Sequence, residues 1–232
     1  STSFPSSARC LSGAEATPGR GRRGLRLSAD RPDRMDTRRA SLAVAARATG
    51  ADARIMAPMV ATAEEAAWFA RRVRENGLPK VGVMIEVPAA ALRAHHVLAE
   101  VDFASIGTND LVQYTMAADR MQGALSTLLD PWQPAVLDLV AAACDGGRDT
   151  GPTIGVCGEA AADPLLALVL AGLGVSSLSM APTRVSAVRA ALSVHDLRTC
   201  TAMAAAARAA RSPQEAREAV LALANDLLAD LL

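Results

Sequence analysis

The sequence predicts an α/β protein built on parallel strands: a (β/α)8 TIM barrel, incomplete at about six of eight βα units, with a C-terminal helical tail. Three observations lead there. Six short apolar runs between Gly24 and Met180 alternate with segments that carry helix start and stop signals. Their spacing approaches the roughly 30 residues per unit of such barrels. Every polar constellation also falls at the C-terminal end of an apolar run, where barrel sites form. An open doubly wound sheet is the rival, but no G-x-G-x-x-G turn follows an early strand.

Residues 1–16 are rich in Ser, Gly, Pro and Ala without hydrophobic periodicity, and are read as disordered or foreign to the fold. Residues 17–232 are read as the partial barrel domain. The first strand is expected at Gly24–Leu27 and the second at Arg54–Met59. Thr62-Ala-Glu-Glu65 is a capping box for a helix with Ala66, Phe69, Ala70 and Val73 on one face, closed by Gly77 and Pro79. Strands follow at Val81–Glu86 and Asp102–Ile106, and Pro134 opens the next long helix. After a strand at Thr153–Cys157, Asp163-Pro164 caps a helix that Gly174 ends. Ser177–Met180 is the last strand, and Ser212-Pro-Gln-Glu215 caps a long C-terminal helix.

Composition bounds the function. Hydrophobic residues make up 51% and aromatics 3%, so the core must consist of Ala, Val, Leu, Ile and Met. A formal charge of zero gives no general attraction to nucleic acid or to an anionic membrane. No run of about 18 apolar residues free of charge is present, so no membrane insertion is expected. Cys10, Cys144, Cys157 and Cys200 are widely spaced, which fits neither a zinc site nor a disulfide framework and suits a reducing cytoplasm. The N-terminus lacks the plan of a secretion signal and begins at Ser1, the expectation for a fragment.

The most informative stretch is 102–120. There a short strand runs into a Gly-Thr turn that presents Asn109 and Asp110 side by side, and Arg120 follows ten residues later. A carboxylate, an amide and a guanidinium just past a strand end suit a magnesium-assisted site for a phosphorylated anion. Glu86 ends the preceding strand among Ile85, Val87 and Pro88, poorly placed for solvent. A buried carboxylate needs a partner. Adjacent strands lie about 5 Å apart, so Glu86 and Asp110 can share one cation. The alternative is a surface acid at a strand end. Cys157 ends another strand in Gly155-Val-Cys-Gly-Glu159, as a small core residue or as a reactive thiol. His95, His96 and His195 read as solvated helix or connection positions, and Asp119 as an orienting partner of Arg120 or a surface charge.

These segments resemble the phosphoenolpyruvate-utilising enzymes, in particular Enzyme I of the sugar phosphotransferase system. The resemblance is carried by Met84-Ile-Glu-Val-Pro-Ala89, by Ser105-Ile-Gly-Thr-Asn-Asp110 with Arg120, and by Gly155–Glu159. Further support comes from Arg54-Ile-Met-Ala-Pro-Met59 and from Gly21–Arg26, which looks like the family's Gly-x-Arg-x-x-Arg segment. It implies that Glu86 and Asp110 hold Mg2+, that Arg26, Arg120 and Asn109 contact the phosphate, and that Asp110 lies against the substrate. It also implies that Cys157 protonates the enolate carbon to release pyruvate. In the complete enzyme, a separate N-terminal half carries the phosphorylated histidine and docks the histidine phosphocarrier protein. The barrel itself mediates a homodimer. This sequence matches neither that half nor the first two barrel units, so the chain alone is expected to be inactive in phosphoryl transfer. A non-catalytic dimerisation or regulatory remnant and a magnesium-dependent lyase of the pyruvate class are the alternatives.

Overall fold

The computed structural model describes residues 24–26 and 32–225. The reading of residues 1–16, with Cys10, lies outside the described residues. Five strands, β1 (Arg54–Ala57), β2 (Lys80–Ile85), β3 (Phe103–Gly107), β4 (Thr153–Cys157) and β5 (Ser177–Ser179), form one sheet in the order β1-β2-β3-β4-β5. All four pairings are parallel. Helix α1 (Pro32–Thr49) precedes β1, and α2 (Ala63–Glu75) joins β1 to β2. Two short helices, α3 (Pro88–Leu92) and α4 (Ala94–Leu98), lead to β3. Helix α5 (Thr108–Thr115), a 3-10 segment (Gly123–Leu129) and α6 (Pro134–Thr150) lead to β4. Helices α7 (Glu159–Ala162) and α8 (Pro164–Gly172) lead to β5, after which come α9 (Pro182–Ser193), α10 (Leu197–Ala209) and α11 (Pro213–Leu221).

Local chemistry explains most boundaries. The Thr62 hydroxyl accepts from Glu65 N, and the Glu65 carboxylate receives the Thr62 and Ala61 N–H groups, so the capping box forms as expected. Gly77 adopts φ 77° just beyond α2, a left-handed exit that glycine makes without strain. Asp163 Oδ1 accepts from Leu165 N and Leu166 N and starts α8. Helix α8 is apolar all round and buried from Leu165 to Leu170, which requires cover on its outer side. Helix α10 of the tail supplies that cover, packing along α8 with Gly172 pressed against the Cys200 carbonyl. Each Leu or Val so buried contributes roughly 1.5–3 kcal/mol.

Three expectations are corrected. Gly24–Leu27 is not a strand: Gly24 turns at φ 54°, Leu25 and Arg26 are helical, and Leu27 lies outside the described residues. A Cβ on Gly24 would sit 2.9 Å from both Met59 Cβ and the Pro58 carbonyl, so close approach to the end of β1 selects the turn. The Gly-Thr turn at 107–108 is instead the junction of β3 with α5, so Asn109 and Asp110 occupy a first helical turn. The C-terminal helix is short, because beyond Leu221 the N–H of Asn225 turns to His195 Nε2 rather than to a helical carbonyl. Among the described residues no helix is long and apolar enough to cross a membrane.

Burial pushes the Cys144 thiol up from an ordinary 9.0 to about 11, and burial also raises Cys200. A raised thiol favours the native protein below the unfolded value and loses that contribution as pH climbs through the folded one. Stability is therefore expected to fall between about pH 9 and 11, by roughly 2–3 kcal/mol from Cys144. Thermal melts of Cys144→Ala should show a shallower alkaline slope than the wild type. Equal slopes would contradict this.

Candidate functional site

In a parallel sheet all C-terminal strand ends lie on one side, so residues just past them meet without further design. Register makes this specific here. Ile85 pairs with Ile106 and Gly107 pairs with Cys157, which sets Glu86, Gly107 and Cys157 in a row across β2, β3 and β4. Glu86 Oε2 lies 2.8 Å from where a side chain on Gly107 would begin, so only glycine admits the carboxylate there.

Glu86 is 4% exposed, and its Oε1 receives the Met59 N–H at 2.6 Å. That bond requires Met59 to take φ 60°, a left-handed conformation uncommon for a non-glycine residue. The strain is held by the packing of Gly24 against Met59 and aims the end of β1 at the Glu86 carboxylate. Asp110 is half-buried in the first turn of α5, where the helix N-terminus favours negative charge.

Beside them, the Thr108 hydroxyl donates to the Cys157 carbonyl at 3.0 Å and ties the ends of β3 and β4 together. Asn109 is exposed, and its Oδ1 accepts from Glu159 N at 3.4 Å, which leaves its amide N–H groups as the donor end. Gly158 follows Cys157 at φ 101°, and a Cβ there would fall 2.8 Å from Thr108 Oγ1 and 2.9 Å from Asn109 Oδ1. The half-buried Cys157 donates its S–H to the Ile106 carbonyl at 3.5 Å. Gly107 and Thr108 are expected from sequence only as a turn and Gly158 only as part of the Gly155–Glu159 motif, and the Met59 amide carries no signal in the sequence. The Gly-Thr pair before Asn109 was the only available signal for Thr108.

The two arginines sit farther out. The Leu25 N–H donates to the Pro58 carbonyl, which brings the Arg26 segment to the end of β1. The Arg26 guanidinium, 40% exposed, pairs with Glu65 at 3.5 Å. It lines a cleft of about 380 Å³ with Leu25, Glu64, Glu65 and Trp68. Arg120 lies on an exposed loop after α5, held through its backbone N–H to Gln113 Oε1 at 3.1 Å. Its guanidinium makes no ion pair among the described residues. Asp119 accepts from Met121 N rather than from Arg120 and is an exposed surface charge. His95 and His96 are exposed on α4, as expected. His195 is instead half-buried, bonded through Nδ1 to the Ala191 carbonyl and through Nε2 to Asn225 N. Arg54 begins β1, away from the strand ends.

The donor types suit a hard divalent cation: one carboxylate just past β2 and one in the first turn of the helix that follows β3. The glycine beside Glu86 leaves the carboxylate room to face such an ion.

The family model described as the PEP-utilising enzyme, PEP-binding domain, matches residues 10–197. The chain is 54% identical over 214 residues to a phosphoenolpyruvate-protein phosphotransferase of Streptomyces coelicolor, covering 92% of this chain and 38% of that relative. It is 41% identical over 195 residues to the phosphotransferase of the same name from Haloferax volcanii, covering 78% and 34%. With a multiphosphoryl transfer protein of Xanthomonas campestris pv. campestris it shares 43% identity over 184 residues, covering 77% and 22%. The chain thus spans 22–38% of the length of these relatives.

Proposed function

Because this chain belongs to the phosphoenolpyruvate-utilising enzymes through their PEP-binding domain, we propose that it forms the phosphoenolpyruvate- and Mg2+-binding part of a phosphoenolpyruvate-protein phosphotransferase. The observation that carries the reading is the row of Glu86, Gly107 and Cys157 across three strand ends, with Asp110 and Asn109 in the turn that follows. The sheet is taken as an arc of a (β/α)8 barrel. Strands in unbroken sequential order, all parallel, support a barrel, whereas a doubly wound sheet reverses its order at a switch point.

In this reading Glu86 and Asp110 hold the magnesium ion. When bound, it offsets the charge of the substrate's phosphate and carboxylate. Arg120 and the Asn109 amide group bind phosphoryl oxygens. Arg26 joins them once the anion displaces Glu65, a half-exposed pair that is weak enough to exchange. Transfer of the phosphoryl group to a histidine elsewhere in a longer protein breaks its bond to the enol oxygen, and the Cys157 thiol, which donates to Ile106 O, passes its proton to the methylene carbon of the enolate left behind to give pyruvate. That histidine then hands the phosphoryl group on to a histidine phosphocarrier protein, in a cytoplasmic homodimer. The relatives' names favour neither a non-catalytic remnant nor a pyruvate-class lyase.

Titration calorimetry of this chain with oxalate, a mimic of the pyruvate enolate, tests the reading. Binding is expected only with Mg2+ present and about tenfold or more weaker in Asp110→Ala. Oxalate binding that is absent, or indifferent to Mg2+, would overturn it.

A further inference from the structure

We propose that Asp163 and Arg217 are positioning residues that fasten the C-terminal tail to the loop carrying Arg120, and thereby set the affinity of the site for its anionic ligand. The proposal rests on the reading of Arg120 given above.

The loop between α5 and α6 has little holding it. From Asp119 through Pro131 no residue is buried, and the bonds inside it are local, such as Gln122 N to Asp119 O and Leu125 N to Gln122 O. Apart from Leu129, which packs against the core, and the contact of the 3-10 segment with α5, its position is set by its two ends. One end is the bond from Arg120 N to Gln113. The other is Trp132, 3% exposed, whose backbone N–H donates to Asp130 Oδ1. The neighbouring Gln133 side chain reaches back to the Thr127 and Leu128 carbonyls.

Trp132 is anchored by one carboxylate. Its indole Nε1–H donates to Asp163 Oδ2 at 3.0 Å, and the same oxygen receives Arg217 Nη1 from α11 at 3.1 Å. The Arg217 guanidinium also lies over the Trp132 ring, 5.6 Å from its centroid. Asp163 Oδ1 is committed to the first turn of α8, so the carboxylate cannot swing away. Asp163 stands six residues past Cys157. One rigid acid therefore joins the chain leaving the thiol's strand, the base of the Arg120 loop and the tail. The three meet beside an open cleft of about 710 Å³.

Arg217 is 42% exposed, and pairs of that kind contribute little to global stability. Its effect falls instead on the fraction of molecules with the loop in place, and apparent affinity scales with that fraction. Asp163→Asn separates the roles. Asparagine caps a helix as well as aspartate does, but its amide would point a donor at the two donors of Trp132 and Arg217.

The test compares this chain with its Asp163→Asn, Arg217→Ala and Arg217→Lys variants by Mg2+-dependent oxalate titration, thermal melting and the rate of trypsin cleavage after Arg120. Asp163→Asn and Arg217→Ala are expected to bind oxalate about fivefold or more weakly. They should be cut faster after Arg120 by a similar factor, with melting temperatures within a few degrees of wild type. Arg217→Lys, which keeps the charge but loses the planar stack, should fall between. Unchanged affinity overturns the proposal, even if cleavage quickens, as does affinity that falls only in step with melting temperature. Wild type that binds no oxalate with Mg2+ refutes the functional reading itself, and this proposal with it.

Discussion

Glu86→Gln is expected to abolish Mg2+-dependent oxalate binding while leaving the protein folded. The amide has the size and shape of the carboxylate, and its oxygen still accepts the Met59 N–H that now reaches Oε1 at 2.6 Å. What disappears is the charge, in a position only 4% exposed. A unit charge acting on another about 4 Å away contributes on the order of 4 kcal/mol at an effective dielectric near 20, and a divalent ion feels more. Every 1.4 kcal/mol or so is a factor of ten, so affinity should fall by about two orders of magnitude or more. Asp110 is less buried, which is why a smaller loss is expected there. Calorimetry and a melting curve on one preparation decide the matter. Should the variant bind oxalate and Mg2+ as wild type does, Glu86 is a structural acid satisfied by the Met59 backbone and not a ligand.

The largest loss of stability is expected from Gly172→Ala. Helix propensity alone would make alanine better than glycine by up to about 1 kcal/mol. Packing reverses the sign. A methyl group at 172 collides with the carbonyl and backbone of Cys200 on α10, and backbone cannot rotate aside as a side chain can. Helices α8 and α10 must separate, which uncovers Leu165, Leu168 and their neighbours. Overpacking of this kind costs about 3 kcal/mol, which for a chain of this size lowers Tm by roughly 6–12 °C. Gly123→Ala is the matched control, since nothing lies within 4 Å of a Cβ there. A melting temperature for Gly172→Ala at or above that of the control would show that the tail accommodates the methyl group.

Much of the candidate site was legible because it follows from direction alone. Apolar runs at 81–86, 102–106 and 153–157 declare strands, and crossover helices between them force the strands parallel. The residues after each run then share one end of the sheet. Glu86, Asn109, Asp110 and Cys157 stand at or past the strand ends for this reason, and the caps at Thr62, Asp163 and Ser212 rest on bonds between residues two or three apart. The short run at Gly24–Leu27 misled for a matching reason. Four residues of apolar pattern cannot separate a strand from a turn and a helical start, and the turn is chosen by Pro58 and Met59, which lie far along the chain.

By itself, then, the sequence determined the alternation of strands and helices, their caps, and which side chains stand past the strand ends, since periodicity and capping act over a few neighbouring residues. Only the tertiary structure decided how those side chains are held. The left-handed Met59 meets Glu86 across 27 residues, Trp132 meets Asp163 across 31, and Arg217 meets Asp163 across 54. Contacts over such separations depend on how whole elements pack, and no local pattern of residue types encodes that packing.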